Sequence, residues 1–130
     1  MFRLTLVSLL ISALAACGDS SASGSGVSGN KKLTQLTATE REDLCNYNFE
    51  VGGGVQVETC QGDSVRTQTV AQCAASLAQV SDSCTATVSN AEACAEATGN
   101  GLCEALLSPK CMFLFTCGGR EPSTPDPLGR

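Results

Sequence analysis

CTATVSNAEACAEATGNGLCEALLSPKCMFLFTC, residues 84–117, holds five of the chain's nine cysteines, at positions 84, 94, 103, 111 and 117. Most of its apolar residues are small, and stop signals interrupt it at Gly99-Asn100-Gly101 and at Pro109. Ser89-Asn90-Ala91-Glu92 has the spacing of a capping box, in which a hydroxyl and a carboxylate satisfy each other's free backbone N–H groups. That spacing predicts a helix opening there, with Cys94 facing inward and Gly99-Asn100-Gly101 ending it. Residues 102–107 make a briefer helix before Pro109. Residues 111–117 enclose Met112, Phe113, Leu114 and Phe115, the most apolar run beyond the N-terminus, and are expected to plug the core. Short helices and dense cysteine together read as a small disulfide-rich, mainly α fold.

The pattern extends toward the N-terminus. Thr37-Ala38-Thr39-Glu40 is a second capping box, predicting a helix to about Tyr47 that buries Leu44 and Cys45. Phe49-Glu50-Val51, the glycines at 52, 53 and 54, and Val55-Gln56-Val57-Glu58-Thr59 alternate apolar with polar residues. That alternation predicts a β-hairpin near residues 49–59. Residues 67–80 carry Val70, Cys73, Leu77 and Val80 at spacings of three and four, a helix with one inward stripe. The expected architecture is three to four short helices with one hairpin.

At the extreme N-terminus Arg3 precedes an apolar run over residues 4–14, broken only by Thr5, Ser8 and Ser12, and then Leu14-Ala15-Ala16-Cys17. The run spans roughly 16 Å as a helix, short of the ~30 Å hydrocarbon core of a bilayer, so export and cleavage fit it better than a permanent span. Leu14-Ala15-Ala16-Cys17 resembles the lipobox of bacterial lipoproteins, a resemblance confined to residues 1–18. It implies removal of residues 1–16, a diacylglyceryl thioether on Cys17, acylation of the new amino terminus by palmitate-like chains, and membrane lipid as a partner through Cys17. Gly18 in the next position implies outer-membrane delivery in a Gram-negative cell, with Asp19 one place later. The rival is an ordinary secretory signal cut near Ala16, leaving Cys17 a stray thiol.

Residues 18–30 are almost wholly glycine, serine, alanine and aspartate, and are expected to form a coil. The chain thus divides into a signal peptide at 1–16, a tether at 17–31, a Cys-rich domain at 32–119 and a Pro-rich tail at 120–130. Cys45, Cys60, Cys73, Cys84, Cys94, Cys103, Cys111 and Cys117 all fall in the domain. Export places this even set outside the reducing cytosol, so four disulfides are expected among about 105 permitted pairings. A tetrahedral thiolate–zinc site would show two cysteines three apart, and neither such a pair nor any histidine is present. No cofactor or metal is expected. A core drawn largely from alanine, valine and leucine buries little surface, whereas each bridge contributes about 2–4 kcal/mol.

The absence of histidine excludes Ser-His-Asp and Cys-His chemistry. A net charge of −5 without any lysine and arginine cluster argues against nucleic acid as a partner. Carboxylates remain: Glu40, Glu42, Asp43, Glu50, Glu58, Glu92 and Glu96. Glu40 reads as a cap, and Glu92 and Glu96 as a solvated pair opposite Cys94. Glu50 and Glu58, flanking the glycines, are where a carboxylate-dependent hydrolase would carry its acids. The residue inventory and the size favour a non-enzymatic role: a binding or structural module for an envelope protein or polymer. An inhibitor of a secreted hydrolase is the alternative, with Ser108-Pro109-Lys110 beside Cys111 as a stiff turn presenting one cation, against the plainer reading of a turn with a solvated lysine.

Overall fold

In the computed structural model, residues 24–118 are described. Helix α1 covers Ala38–Val51, strands β1 and β2 cover Val57–Cys60 and Asp63–Arg66, and helices α2 to α5 cover Val70–Leu77, Val88–Thr98, Leu102–Leu107 and Phe113–Cys117. Short 3-10 turns occupy Leu33–Gln35 and Pro109–Cys111. The fold is small, disulfide-rich and mainly α, as expected.

Helix α1 opens on the expected capping box: the Glu40 N–H donates to Thr37 Oγ1 at 3.3 Å, and the Thr37 N–H to Glu40 Oε2 at 2.8 Å. It runs past Tyr47 because the glycines that follow are its stop and not a hairpin turn. Gly53 sits at φ 86°, and the N–H groups of Gly53 and Gly54 return to the carbonyls of Glu50 and Phe49 at 3.2 and 2.7 Å. This is a Schellman ending, which needs a residue free to adopt positive φ. The hairpin expected at 49–59 is therefore displaced: residues 49–51 are helical, and Val57 to Cys60 pair with Arg66 to Asp63 across Gln61-Gly62. Both turn residues have positive φ, 53° and 97°, the geometry of a two-residue hairpin turn.

Helix α2 starts three residues later than expected, because Thr69 and Gln72 form its capping box, with bonds of 3.3 and 3.0 Å. Helix α3 starts at Val88, not after Ser89, since Thr87 is its cap and donates its N–H to Asn90 Oδ1 at 2.9 Å. Helix α4 matches the expected span.

Four disulfides join Cys45 to Cys73, Cys60 to Cys103, Cys84 to Cys117 and Cys94 to Cys111. They tie α1 to α2, β1 to α4, the segment before α3 to α5, and α3 to the Pro109–Cys111 turn. The core gathers Val27, Leu33, Leu36, Leu44, Ala86, Val88 and Ala91 with Cys84 and Cys117. A satellite holds Cys94, Ala105 and Cys111, and Phe113 packs against both.

Two further expectations change. The boundary between tether and domain does not fall at 31/32: Val27 is buried, and the N–H groups of Ser89 and Val88 bond to the carbonyls of Gly29 and Lys31 at 3.0 and 2.9 Å. A Gly/Ser stretch has backbone groups to pair even where it has few side chains to bury. The 111–117 run is only half a plug, because Cys111 and Cys117 are buried while Met112, Leu114 and Phe115 stay exposed. The signal peptide, Cys17, Gly18 and the 120–130 tail lie outside the described residues. No helix among the described residues is long and apolar enough to cross a membrane.

Candidate binding site

The helical spacing of three and four builds one concave face from three helices. Helix α1 contributes Cys45, Asn48 and Phe49, α2 contributes Cys73, Ser76 and Leu77, and α3 contributes Ala91, Cys94, Ala95 and Thr98. Phe113, Leu114 and Cys117 of α5 close one side, and the other opens to solvent. The cavity between them is about 290 Å³. Ala91 and Ala95 present only methyl groups to it from α3. Cysteines of three bridges line it, and the Cys45–Cys73 bridge ties two of its walls, α1 and α2, to each other.

None of the lining side chains is charged. The polar ones are mostly engaged: Thr67 Oγ1 accepts from the Gln56 N–H at 2.7 Å, Thr98 Oγ1 donates to the Cys94 carbonyl at 3.0 Å, and Gln68 Nε2 donates to Ser76 Oγ at 3.0 Å. Asn48 differs. Its Oδ1 is buried and has no hydrogen-bond partner among the described residues. A buried amide oxygen left without a donor costs about 1–3 kcal/mol.

The structure places the two acids that the sequence put on one hairpin, Glu50 and Glu58, on different elements. Glu50 is exposed on the last turn of α1, whereas Glu58 reaches α4 and accepts the N–H groups of Leu102 and Cys103 at 2.8 and 3.4 Å. Glu58 is thus a helix cap, placed by the neighbouring Cys60–Cys103 bridge. Glu92 is not solvated as expected but buried, accepting the Ser25 N–H at 2.9 Å, while Glu96 stays exposed. Burial of Tyr47, and after it the charges of Glu96 and Glu92, push the Tyr47 phenol above its usual range. Glu42 and Asp43 are exposed on α1. Among the described residues no group of three or more histidine, cysteine, aspartate and glutamate side chains could hold a metal ion.

Ser108-Pro109-Lys110 forms the stiff turn expected of it: Ser108 Oγ accepts the Lys110 N–H at 3.3 Å, Cys111 anchors the turn to α3, and Pro109 and Lys110 are exposed. A broader and more open polar depression of about 650 Å³ lies between Glu96, Glu104 and Lys110. The smaller apolar cavity is the better ligand site, because affinity for small molecules comes mainly from enclosed apolar surface. Asn48 escaped the sequence reading because that reading ended the helix at Tyr47. Its signal was the i, i+3, i+4 stripe of Cys45, Asn48 and Phe49, a polar residue on an inward face.

No protein-family model matches the chain, and neither a curated protein nor a solved structure matches it.

Proposed function

We propose that the chain is a lipid-anchored binding module of the bacterial cell envelope, tethered through Cys17 and working through its disulfide-walled cavity. The observation that carries the binding role is that cavity: neutral, apolar, and lined by cysteines of three separate bridges. Binding is favoured over catalysis because, of Glu50 and Glu58, the acids a hydrolase would use, Glu58 is engaged as a cap on α4 while Glu50 is exposed on the last turn of α1. The anchor rests on the sequence Leu14-Ala15-Ala16-Cys17, and Gly18 supports delivery to the outer membrane. Two or three acyl chains at about 0.8 kcal/mol per buried methylene hold a protein durably, where one chain does not. Only residues 18–23 separate Cys17 from Gly24, and at full extension six residues reach no more than about 20 Å, so the domain would stay beside the membrane surface.

Crosslinking the native protein in its own envelope tests the module. A reproducible partner lost on reduction of the bridges supports it, whereas turnover of a glycan or peptide that one carboxylate substitution abolishes in a folded protein counts against it. Mass spectrometry of the N-terminal peptide tests the anchor separately, and an unmodified Cys17 would rule it out.

The exposed Pro109-Lys110 turn, held by the Cys94–Cys111 bridge, favours inhibition of a secreted hydrolase as a second reading. It requires inhibition of a trypsin-like protease that Lys110→Ala removes.

A further inference from the structure

Helix α5 is apolar on both of its sides. Phe113 and Cys117 turn into the core, while Met112, Leu114 and Phe115 are 55%, 47% and 65% exposed. Met112 carries the helical backbone into α5, so at about 100° per residue these three exposed side chains share an arc of roughly 160° opposite the core. A surface helix ordinarily puts polar residues on that arc. The charge around it is also unlike the rest of the chain. Between Ala105 and Gly118 the sole charged side chain is Lys110, whereas α1 exposes Glu42, Asp43 and Glu50 in a protein of net charge −5. An anionic headgroup layer would repel α1 and admit the α5 side.

We propose that the outer arc of α5, formed by Met112, Leu114 and Phe115, dips about 5–10 Å into the boundary between headgroups and acyl chains of the membrane that holds Cys17. Lys110 reaches the lipid phosphates at the edge of the inserted zone, and Glu96 and Glu104, which border the depression beside it, stay on the water side. The proposal goes beyond the cavity reading and rests on the Cys17 anchor. Tether length permits the orientation. Ser25 is held by Glu92, about 200° around α3 from the Cys94 that bridges to Cys111, so the anchor must pass the width of one helix. Six residues span about 20 Å at most, against a helix diameter of about 10 Å. The other occupants fit less well. Three partly exposed side chains offer a few hundred Å², short of the roughly 800 Å² per partner of a stable complex, so a second copy would gain too little. Residues 119–130 contain one aliphatic side chain, Leu128, with which to cover the arc. A membrane needs no such area, because the anchor already confines the domain beside it and the arc has only to orient it.

The test uses the oxidised mature chain, in which Cys17 is the one cysteine outside the four bridges. Cys17 is coupled to a maleimide-bearing phospholipid in vesicles of phosphatidylethanolamine and phosphatidylglycerol. The chain has no tryptophan, so Phe115→Trp reports on α5 and Val57→Trp, at a comparably exposed valine of β1, serves as control. On coupling, emission of the Phe115→Trp chain should shift to the blue, and nitroxide-labelled acyl chains should quench it at least about threefold more than the control. Adding Met112→Asp should reduce that quenching at least about threefold, since a carboxylate resists leaving water. Hydrogen exchange at residues 112–116 of the unsubstituted chain should slow on coupling, which keeps the test decisive if a variant misfolds. Equal quenching of the two tryptophan chains, or exchange at 112–116 unchanged by the vesicles, overturns the proposal. A blue shift already present without lipid also overturns it: growth with protein concentration would give the arc to a second copy, and loss on removing residues 119–130 would give it to the tail. Because the lipid is supplied chemically, failure here strikes the α5 face alone, whereas an unmodified Cys17 in the native protein strikes the anchor.

Discussion

Glu40 sits between two donors, the Lys31 ammonium at 2.7 Å and the Thr37 N–H at 2.8 Å. The lysine hydrogen bond and then the backbone bond lower its carboxyl below the ordinary glutamate value. A carboxylate with a lowered folded pKa stabilises the fold above the unfolded value, about 4.3, and loses that contribution as pH falls through the folded value. Thermal stability should therefore drop more steeply with acidification in the wild type than in Glu40→Gln. Melting curves taken below about pH 5 measure the difference, and parallel profiles for the two proteins would refute the assignment. The size of the effect is small, since the pair is only part-buried and solvent screens it. Glu58 contributes by a hydrogen bond, as a cap that crosses from the hairpin to α4. Glu58→Ala should cost about 1–2 kcal/mol in denaturant unfolding, the range for loss of a helix cap. An unchanged midpoint would leave the 2.8 Å contact without structural weight.

At the scale of elements, α2 depends on its cross-link. None of its residues is fully buried, and it is a short helix of 8 residues, below the length at which isolated helices persist. Its attachment is the Cys45–Cys73 bridge plus the partial burial of Leu77. Replacing both cysteines by serine should release α2 selectively, with hydrogen-exchange protection lost over Val70–Leu77 and kept in α3. The accompanying loss should be about 2–4 kcal/mol. Uniform loss across both helices would show instead that the bridge supports the whole core. The helices were also where the sequence was most informative. Thr37 and Glu40 marked the start of α1, and Leu102 with Pro109 bounded α4, because capping and stop signals are local. The hairpin was misplaced because the glycines at 52–54 suit a Schellman ending as well as a turn, and only the helix that precedes them decides. Disulfide pairing was illegible, since it depends on which helices cross. The cavity was illegible for the same reason: its lining comes from four helices that only the fold brings together.

Across the whole molecule, apolar burial and cross-links are unevenly matched. Leu33, Leu44, Val88, Cys45 and Cys111 are the largest side chains that are fully buried, and two of these five are cysteines. Meanwhile Leu107, Met112 and Phe115 remain more than half exposed. Four bridges at about 2–4 kcal/mol each are comparable with the roughly 5–15 kcal/mol net stability of an ordinary domain. Reduction should therefore unfold this protein near room temperature and not merely lower its melting point. The segment before α1 should be lost with the rest, because Val27 shares its core cluster with Cys84 and Cys117, and the carbonyls of Gly29 and Lys31 accept the N–H groups of Ser89 and Val88. Far-UV circular dichroism before and after reduction with dithiothreitol decides: most of the helical signal should disappear, and reoxidation should restore it with the same four pairs. Alkylation of the denatured, unreduced domain should add no mass at the eight paired cysteines. A reduced protein that keeps its helicity and melts cooperatively would mean that the small core suffices. The bridges would then serve to hold the cavity open, and their removal would weaken ligand binding while leaving the fold intact.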